Sequence, residues 1–207
     1  MDSTVAVERW FAELVEQRGL GADALAVLRE QADSPTTPDE SFQAIITYCG
    51  FADTVQQLQQ LFRERVPLLA RPVDGVMAGL QALRQSGWRT AILTNGTALT
   101  QLPKLRDGLA DLIDVVCFAD DEAASKPDPS VFRLLAERAG ELLDGAWMIG
   151  DSLPNDIDGA AAVGMSTMWV SNGRPLPDGA SKPDVIVSSA RDAFPILLRL
   201  SGTPAPQ

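Results

Sequence analysis

The chain has 207 residues, 45% hydrophobic and 22% charged, a composition typical of a globular protein rather than of a disordered tail or a collagen-like repeat. Its 17 basic and 28 acidic residues give a net charge of −11, and such a surface repels phosphate backbones and anionic lipids, so we expect no nucleic-acid or membrane partner. The absence of histidine excludes Ser-His-Asp and Cys-His catalysis and histidine-ligated metal sites.

The cysteines and the apolar segments bear on localisation. Cys49 and Cys117 each lie inside an apolar stretch, which favours buried free thiols over a disulfide. No secretory signal is visible after Met1, and no apolar run is long enough for a membrane span. We therefore expect a cytoplasmic protein.

The first seventy residues predict helices and no strand. Apolar residues at helical spacing lie between Val7 and Val15, and glycines end that helix. Further helices are predicted over 23–31 and 40–48 and from Val55 onwards. We expect the aromatic side chains of this half to belong to its core, namely Trp10, Phe11 and Tyr48.

The pattern changes near residue 70, where short apolar strands begin to alternate with helices. A helix over 76–83 is followed by strands, and later helices begin after Asp128-Pro129, at Pro154 and at Ala193, before a loose tail over 201–207. Strands that are apolar throughout are typical of a parallel sheet with helices on both faces, an α/β fold. The predicted strands are 90–94, 114–118, 146–149, 167–170 and 185–187.

Two of these strands are followed by groups suited to an anion. Thr94, Asn95 and Gly96 end the first strand, and a hydroxyl with turned backbone N–H groups can bind an anion there. Lys126 stands before a helix and can present a positive charge. Each has an ordinary explanation alone, because Asn-Gly is common in turns and a lone lysine is usually a solvated surface group.

Two carboxylates follow the predicted strand 146–149. Asp151 comes directly after Gly150, and Asp156 follows at the start of the next predicted helix. Such a pair suits Mg²⁺, which prefers oxygen ligands, although Asp151 can also cap a turn and Asp156 can favour a helix dipole. Because the carboxyl ends of parallel strands meet at one edge of a sheet, we expect these groups to lie close together. A hydroxyl, a lysine and two carboxylates at that edge predict a phosphoryl-transfer site that lacks its nucleophile.

From about Pro72 to Leu198, these motifs in this order resemble the haloacid dehalogenase (HAD) superfamily, especially its phosphatase branch with a helical cap. The resemblance implies a Rossmann-like parallel sheet with helices on both faces over 71–207 and a small all-helical cap over 1–70. It also implies that Thr94 and Lys126 are catalytic, and that Asp156 either supports Mg²⁺ or orients Lys126. The implied phosphate-binding residues are Thr94, Asn95, Gly96 and Lys126, and the implied metal ligands are Asp151 and Asp156.

The family's first motif, a strand ending in Asp-x-Asp-Gly-Thr, does not occur in the sequence. Its two aspartates would be the nucleophile and the acid/base. The similar segment 156–159 lies on a predicted helix, inside the family's fourth motif, which is the pair Gly150-Asp151 with Asp156 five residues on, so it cannot serve as the first motif. Residues 1–4 resemble the segment that comes directly after the first motif in this family, so we expect the natural protein to have one more strand before Met1. Losing that central strand would leave unpaired backbone groups on two interior strands.

The resemblance leaves three functions open. The first is a Mg²⁺-dependent phosphatase that acts on a small phosphorylated metabolite through a phosphoaspartyl intermediate, with the nucleophile upstream of Met1. The second is a catalytically inactive phosphate-binding or regulatory protein. The third is a 2-haloacid dehalogenase, which needs no metal and would not require both Asp151 and Asp156. Neither the substrate nor the oligomeric state is predicted.

Overall fold

A computed structural model describes residues 3–21, 23–33 and 37–201 of the chain. Residues 1–2, which belong to the segment expected to come after a missing strand, lie outside the described residues, as does the predicted tail from 202 onwards. The chain divides into two compact units, Met1–Arg71 and Pro72–Gln207. We call them the helical unit and the α/β unit.

The described part of the helical unit contains four helices. Two of them begin at capping boxes: the Thr37 side chain accepts a hydrogen bond from the Glu40 N–H while the Glu40 side chain accepts one from the Thr37 N–H, and Thr54 and Gln57 repeat this arrangement. These caps explain why helices start at Pro38 and Val55. The helices are α1 (Ser3–Gln17), α2 (Ala24–Asp33), α3 (Pro38–Cys49) and α4 (Val55–Leu69).

The core of the helical unit is formed by the apolar faces of these helices. Trp10 and Phe11 are buried there, as predicted. The Trp10 ring packs edge-on against Phe62. The prediction for Tyr48 is wrong, because its side chain is 56% exposed. The apolar stripe of α3 runs through positions 42, 45, 46 and 49, and position 48 lies off that stripe.

The α/β unit contains all five predicted strands. The helix Pro129–Ala139 begins as predicted, with Asp128 Oδ1 accepting a hydrogen bond from the Ser130 N–H at 2.8 Å. The predicted α-helix over 154–163 is instead a π-helical turn, Leu153–Asp158, followed by one α-helical turn. The strands are β1 (Ala91–Thr94), β2 (Val115–Phe118), β3 (Trp147–Gly150), β4 (Ser166–Val170) and β5 (Val185–Val187), and the helices are α5 (Val76–Gln85), α6 (Ala98–Gln101), α7 (Pro129–Ala139), α8 (Gly159–Ala161) and α9 (Ala193–Ser201).

The described strands form two parallel sheets. One pairs β1 with β2, and the other has the order β3-β4-β5. Strand β3 alternates between two cores, since Trp147 and Ile149 pack with α5 and α9 while Met148 packs with α7 and α8. Helices therefore cover both faces, which confirms the predicted α/β class with parallel strands.

A carboxylate joins the start of β5 to β4. Asp184 Oδ2 accepts hydrogen bonds from the backbone N–H of Thr167 at 2.7 Å and from its hydroxyl at 2.9 Å. The backbone hydrogen bond, followed by the hydroxyl, lowers the pKa of Asp184. Thr167 is almost fully buried, so these bonds occupy its polar groups inside the sheet.

We expect Asp184→Ala to lower the free energy of unfolding at pH 7 by about 1 kcal/mol, because the Thr167 N–H and hydroxyl lose their acceptor. Since the pKa of Asp184 is lowered on folding, its contribution is present above the ordinary carboxyl pKa and is lost as pH falls through the lowered pKa. Urea denaturation at pH 7 and in acid measures this: the difference between variant and wild type should shrink in acid. A constant difference would contradict the assignment.

Two other sequence predictions concern the cysteines and membrane-spanning segments. Both cysteines are free; Cys117 is fully buried as predicted, whereas Cys49 is only partly buried. None of the helices in the described residues has the length and apolar character needed to cross a membrane.

Candidate active site

The end of β1 and the loop after it contain hydrogen-bond donors that the described residues leave largely unused. Gly96 has φ 143°, a conformation that residues with a side chain rarely adopt, so the turn requires glycine. The Thr94 hydroxyl has only a long hydrogen bond, 3.4 Å to the Asn95 carbonyl. Within the part of the chain that the structure describes, the backbone N–H groups of Asn95 and Gly96 donate no hydrogen bond. This loop therefore offers three donors to a ligand.

Asn95 connects this loop to the segment that contains the predicted lysine. Its Nδ2 donates to the Lys126 carbonyl at 2.9 Å, and its Oδ1 accepts from the Lys126 N–H at 2.8 Å. The structure thus holds the loop after β1 against the Lys126 segment through two hydrogen bonds between the Asn95 side chain and the Lys126 backbone.

The Lys126 ammonium lies between the ends of β1 and β3. Its Nζ donates to the Leu93 carbonyl at 2.8 Å and to Asp156 Oδ1 at 2.7 Å. The lysine and aspartate side chains are only 10% and 7% exposed, so this is a buried ion pair with both partners hydrogen-bonded.

The π-helical turn after β3 explains the position of the Asp156 carboxylate. The Ser152 carbonyl accepts from the N–H groups of both Asp156 and Ile157, which widens the turn. Asp156 Oδ2 accepts in return from the Ser152 N–H at 3.0 Å. A Cβ at Gly150 would overlap this carboxylate, so glycine is needed there. Both oxygens of Asp156 are therefore engaged, and one of them holds Lys126.

Asp151 has an exposed side chain and a fixed backbone. Its carbonyl accepts from the buried Trp169 indole N–H at 3.1 Å and from Arg174 Nη2 at 2.8 Å, while the Arg174 guanidinium lies 5.7 Å from the centre of the Trp169 ring. No described residue donates a hydrogen bond to its carboxylate, which is available for a cation. Sequence analysis missed both supporting residues, since Trp169 resembles any buried strand residue and Arg174 lies in a loop.

The carboxylates that follow β3 suit Mg²⁺ only as a site with few protein ligands. The described residues contain no group of three or more acidic, cysteine or histidine side chains placed to hold a metal. Mg²⁺, however, usually keeps several waters and binds one or two carboxylates together with substrate phosphate. The Asp151 carboxylate, which accepts no hydrogen bond from a described residue, is a group of this kind.

Two possible nucleophiles of this unit are unsuited to the role. Cys117 is fully buried, and burial raises the pKa of its thiol, which disfavours the thiolate. The segment 156–159, similar to the absent first motif, lies in the π-helical turn and α8 rather than at a strand end. The first carboxylate of this segment, that of Asp156, already forms an ion pair with Lys126.

Strands β1 and β3 each have one unpaired edge in the described residues, because β1 pairs only with β2 and β3 only with β4. The Thr90 carbonyl of the adjoining segment accepts from the N–H of Val115 and so points towards β2. By strand alternation, the Leu93 carbonyl points towards the unpaired edge, and that is the carbonyl to which Lys126 binds. The ammonium therefore lies at the carboxyl end of this edge.

The sequence model of the haloacid dehalogenase-like hydrolases matches residues 5–164. The chain belongs to this family. The matched region includes helices of the helical unit as well as Thr94, Lys126, Asp151 and Asp156, which confirms the superfamily recognised from the motifs of the α/β unit.

Curated relatives of this HAD-like chain include phosphatases. It is 32% identical over 149 residues to a phosphoserine phosphatase from Thermus thermophilus and 33% identical over 148 residues to a phosphoglycolate phosphatase from Thiobacillus denitrificans. These alignments cover 70% and 69% of this chain but 58% and 64% of those proteins. The chain therefore spans about three-fifths of the length of these two relatives.

A solved structure agrees with the fold. The HAD-hydrolase YfnB from Bacillus subtilis, described as bound to magnesium, aligns with a TM-score of 0.72 over 94% of this chain and 90% of that chain. The two sequences are 24% identical, so this similarity establishes the fold of the HAD-like hydrolases and not a shared activity.

Proposed function

We propose that this chain belongs to a Mg²⁺-dependent phosphatase that acts on a small phosphorylated metabolite through a phosphoaspartyl intermediate. The observation behind the proposal is the buried Lys126 ammonium, which contacts Leu93 at the end of β1 and Asp156 after β3. A fixed positive charge at that point stabilises the charge on the oxygens of a transferring phosphoryl group. The activities of the curated phosphatase relatives support this reaction class.

Each predicted residue then has a role. The Thr94 hydroxyl and the N–H groups of Asn95 and Gly96 bind phosphoryl oxygens, and Lys126 neutralises the charge that develops on them. Asp156 orients Lys126, and Asp151 is the carboxylate that would hold Mg²⁺. When bound, Mg²⁺ would supply further neutralisation of the phosphate charge.

The nucleophile is proposed to lie on a strand that precedes Met1. Its carboxylate would attack phosphorus and break the bond to the ester oxygen, a second aspartate would protonate the leaving alcohol, and water would then hydrolyse the acyl phosphate. The unpaired edges of β1 and β3 support a strand at that place, since an interior strand needs partners for its backbone groups. The helical unit would be the cap that determines which metabolite is accepted.

The intact mass of the protein purified from its own source tests the position of the nucleophile. We expect a mass above that of residues 1–207, with an N-terminal peptide that contains Asp-x-Asp-Gly-Thr before Met1. A mass equal to that of residues 1–207 would contradict hydrolysis through this intermediate. It would instead favour the inactive phosphate-binding protein.

We expect Thr94→Val to weaken the binding of inorganic phosphate in the presence of MgCl₂ by about tenfold, because one hydrogen bond to a charged oxygen is lost. Isothermal titration calorimetry measures the affinity. The fold should be unaffected, since the only hydrogen bond of this hydroxyl to a described residue is 3.4 Å long.

The matched control for this variant is Thr47→Val, which removes a hydroxyl from an exposed position on α3 of the helical unit. It should bind phosphate as the wild type does. Equal affinities of wild type and Thr94→Val would remove Thr94 from the site.

A further inference from the structure

Gln101 of α6 lies against the anion-binding loop. A Cβ built on Gly96 would meet Gln101 Cγ at 3.0 Å and Cδ at 3.1 Å, and the amide Nε2 would be closer still. The amide of Gln101 therefore occupies the space that a side chain at position 96 would take. It packs on the residue whose φ of 143° shapes the loop.

Lys104 determines which end of this amide faces Gly96. Its Nζ donates a hydrogen bond to Gln101 Oε1 at 3.0 Å. Because an ammonium group can only donate, the amide oxygen must face Lys104 and the NH₂ group must face the loop. The positive end of the amide dipole thus points towards Gly96.

The environment of Lys104 is unusual for a lysine. Its side chain is half-buried, and burial lowers the pKa of the ammonium. None of the ion pairs found among the described residues includes Lys104, and its side-chain hydrogen bond goes to the neutral Gln101 amide. Burying a charge without an acidic partner lowers the stability of the folded protein, so a contribution to stability does not explain this lysine.

We propose that Lys104 and Gln101 are positioning residues of the phosphate site: Lys104 orients the Gln101 amide, and the amide holds Gly96 and directs its NH₂ group towards the bound phosphoryl group. This rests on the proposed function. Both groups add positive potential at the loop where Thr94 and the backbone N–H groups would bind the phosphoryl oxygens.

The variant Gln101→Glu separates this role from packing alone. A glutamate keeps the size of the side chain and retains an acceptor for Lys104, so the fold should be at least as stable. It also replaces the NH₂ donor beside Gly96 with a negative oxygen. We expect the affinity for inorganic phosphate in MgCl₂, measured by calorimetry, to fall by about tenfold or more, the size of one lost favourable contact.

The matched control is Gln85→Glu, which adds the same charge at an exposed position at the end of α5. Its phosphate affinity should equal that of the wild type. If Gln101→Glu binds phosphate as tightly as the wild type, or if both variants weaken it equally, the proposal is overturned.

A second pair of variants tests the step through Lys104 without requiring a ligand. The N–H groups of Thr100 and Gln101 donate to the carbonyl of Thr97, the residue after Gly96. In Lys104→Met the Gln101 amide loses its anchor, so hydrogen exchange at these two N–H groups should become several-fold faster, and Lys104→Arg should restore it. Unchanged exchange in Lys104→Met would overturn the positioning role. If the wild type fails to bind phosphate, the proposed function fails, and the exchange result still decides whether Lys104 and Gln101 position the loop.

Discussion

Asp156→Asn is expected to lower the free energy of unfolding by about 3 kcal/mol, because it leaves the buried Lys126 ammonium without its counter-charge. The two side chains are 10% and 7% exposed and their atoms are 2.7 Å apart, so little water is available to replace the lost partner. The other carboxylate oxygen also accepts from the Ser152 N–H in the π-helical turn. Urea denaturation followed by circular dichroism measures the loss.

A double-mutant cycle separates the ion pair from other effects. Lys126→Met alone should also be destabilising, whereas Lys126→Met combined with Asp156→Asn should cost less than the two single losses together, since no unpaired charge remains. Asp178→Asn, at an exposed loop position, is the control and should be near neutral. Additive losses would mean that the two side chains are not coupled in solution.

Gly159→Ala is expected to lower the free energy of unfolding by about 2 kcal/mol, because the added methyl group would overpack the core next to the segment that contains Lys126. An added Cβ would lie 2.8 Å from two ring carbons of Phe132 and 3.1 Å from the Cα of Pro127. Phe132 is 1% exposed and cannot move aside without disturbing the core on that face of the sheet. Pro127 directly follows Lys126, so we also expect weaker phosphate binding.

The control for this substitution is Gly21→Ala, where a Cβ would meet nothing within 4 Å and φ is not positive. It should be neutral or slightly stabilising, because alanine restricts the unfolded chain more than glycine does. Denaturation curves and phosphate titrations on both variants provide the comparison. A Gly159→Ala protein as stable as the wild type would contradict the close packing of Phe132 on this glycine.

The fold class could be predicted because short apolar strands and their turn residues are local features of the sequence. Asp128-Pro129 correctly predicts the start of α7, and Asn95-Gly96 correctly predicts the end of β1. The π-helical turn after Ser152 could not be predicted, since it depends on one carbonyl accepting two N–H groups. The prediction for Tyr48 is wrong because burial on a helix changes from one position to the next: Cys49 lies on the apolar stripe of α3 and Tyr48 does not.

The candidate site could be predicted in outline because the carboxyl ends of parallel strands meet at one edge. The pairing of Lys126 with Asp156 is one of two alternatives that the sequence leaves open, and the choice between them needs the shape of the turn. The residues that hold the site in place could not be predicted, because they act through contacts between segments distant in sequence. An example is the hydrogen bond from the Trp169 indole N–H to the Asp151 carbonyl, which no local sequence pattern indicates. The further strand expected before Met1 stays a prediction.

Phosphate release by the protein purified from its own source tests the central claim most directly. Phosphoserine, phosphoglycolate and p-nitrophenyl phosphate are suitable substrates, with and without a chelator of Mg²⁺. The account predicts release that stops on chelation and falls by about a hundredfold in Thr94→Val, the effect of losing one donor to a transition-state oxygen. No release from any phosphate ester by a protein that includes the upstream aspartates, or release unaffected by chelation, would contradict it.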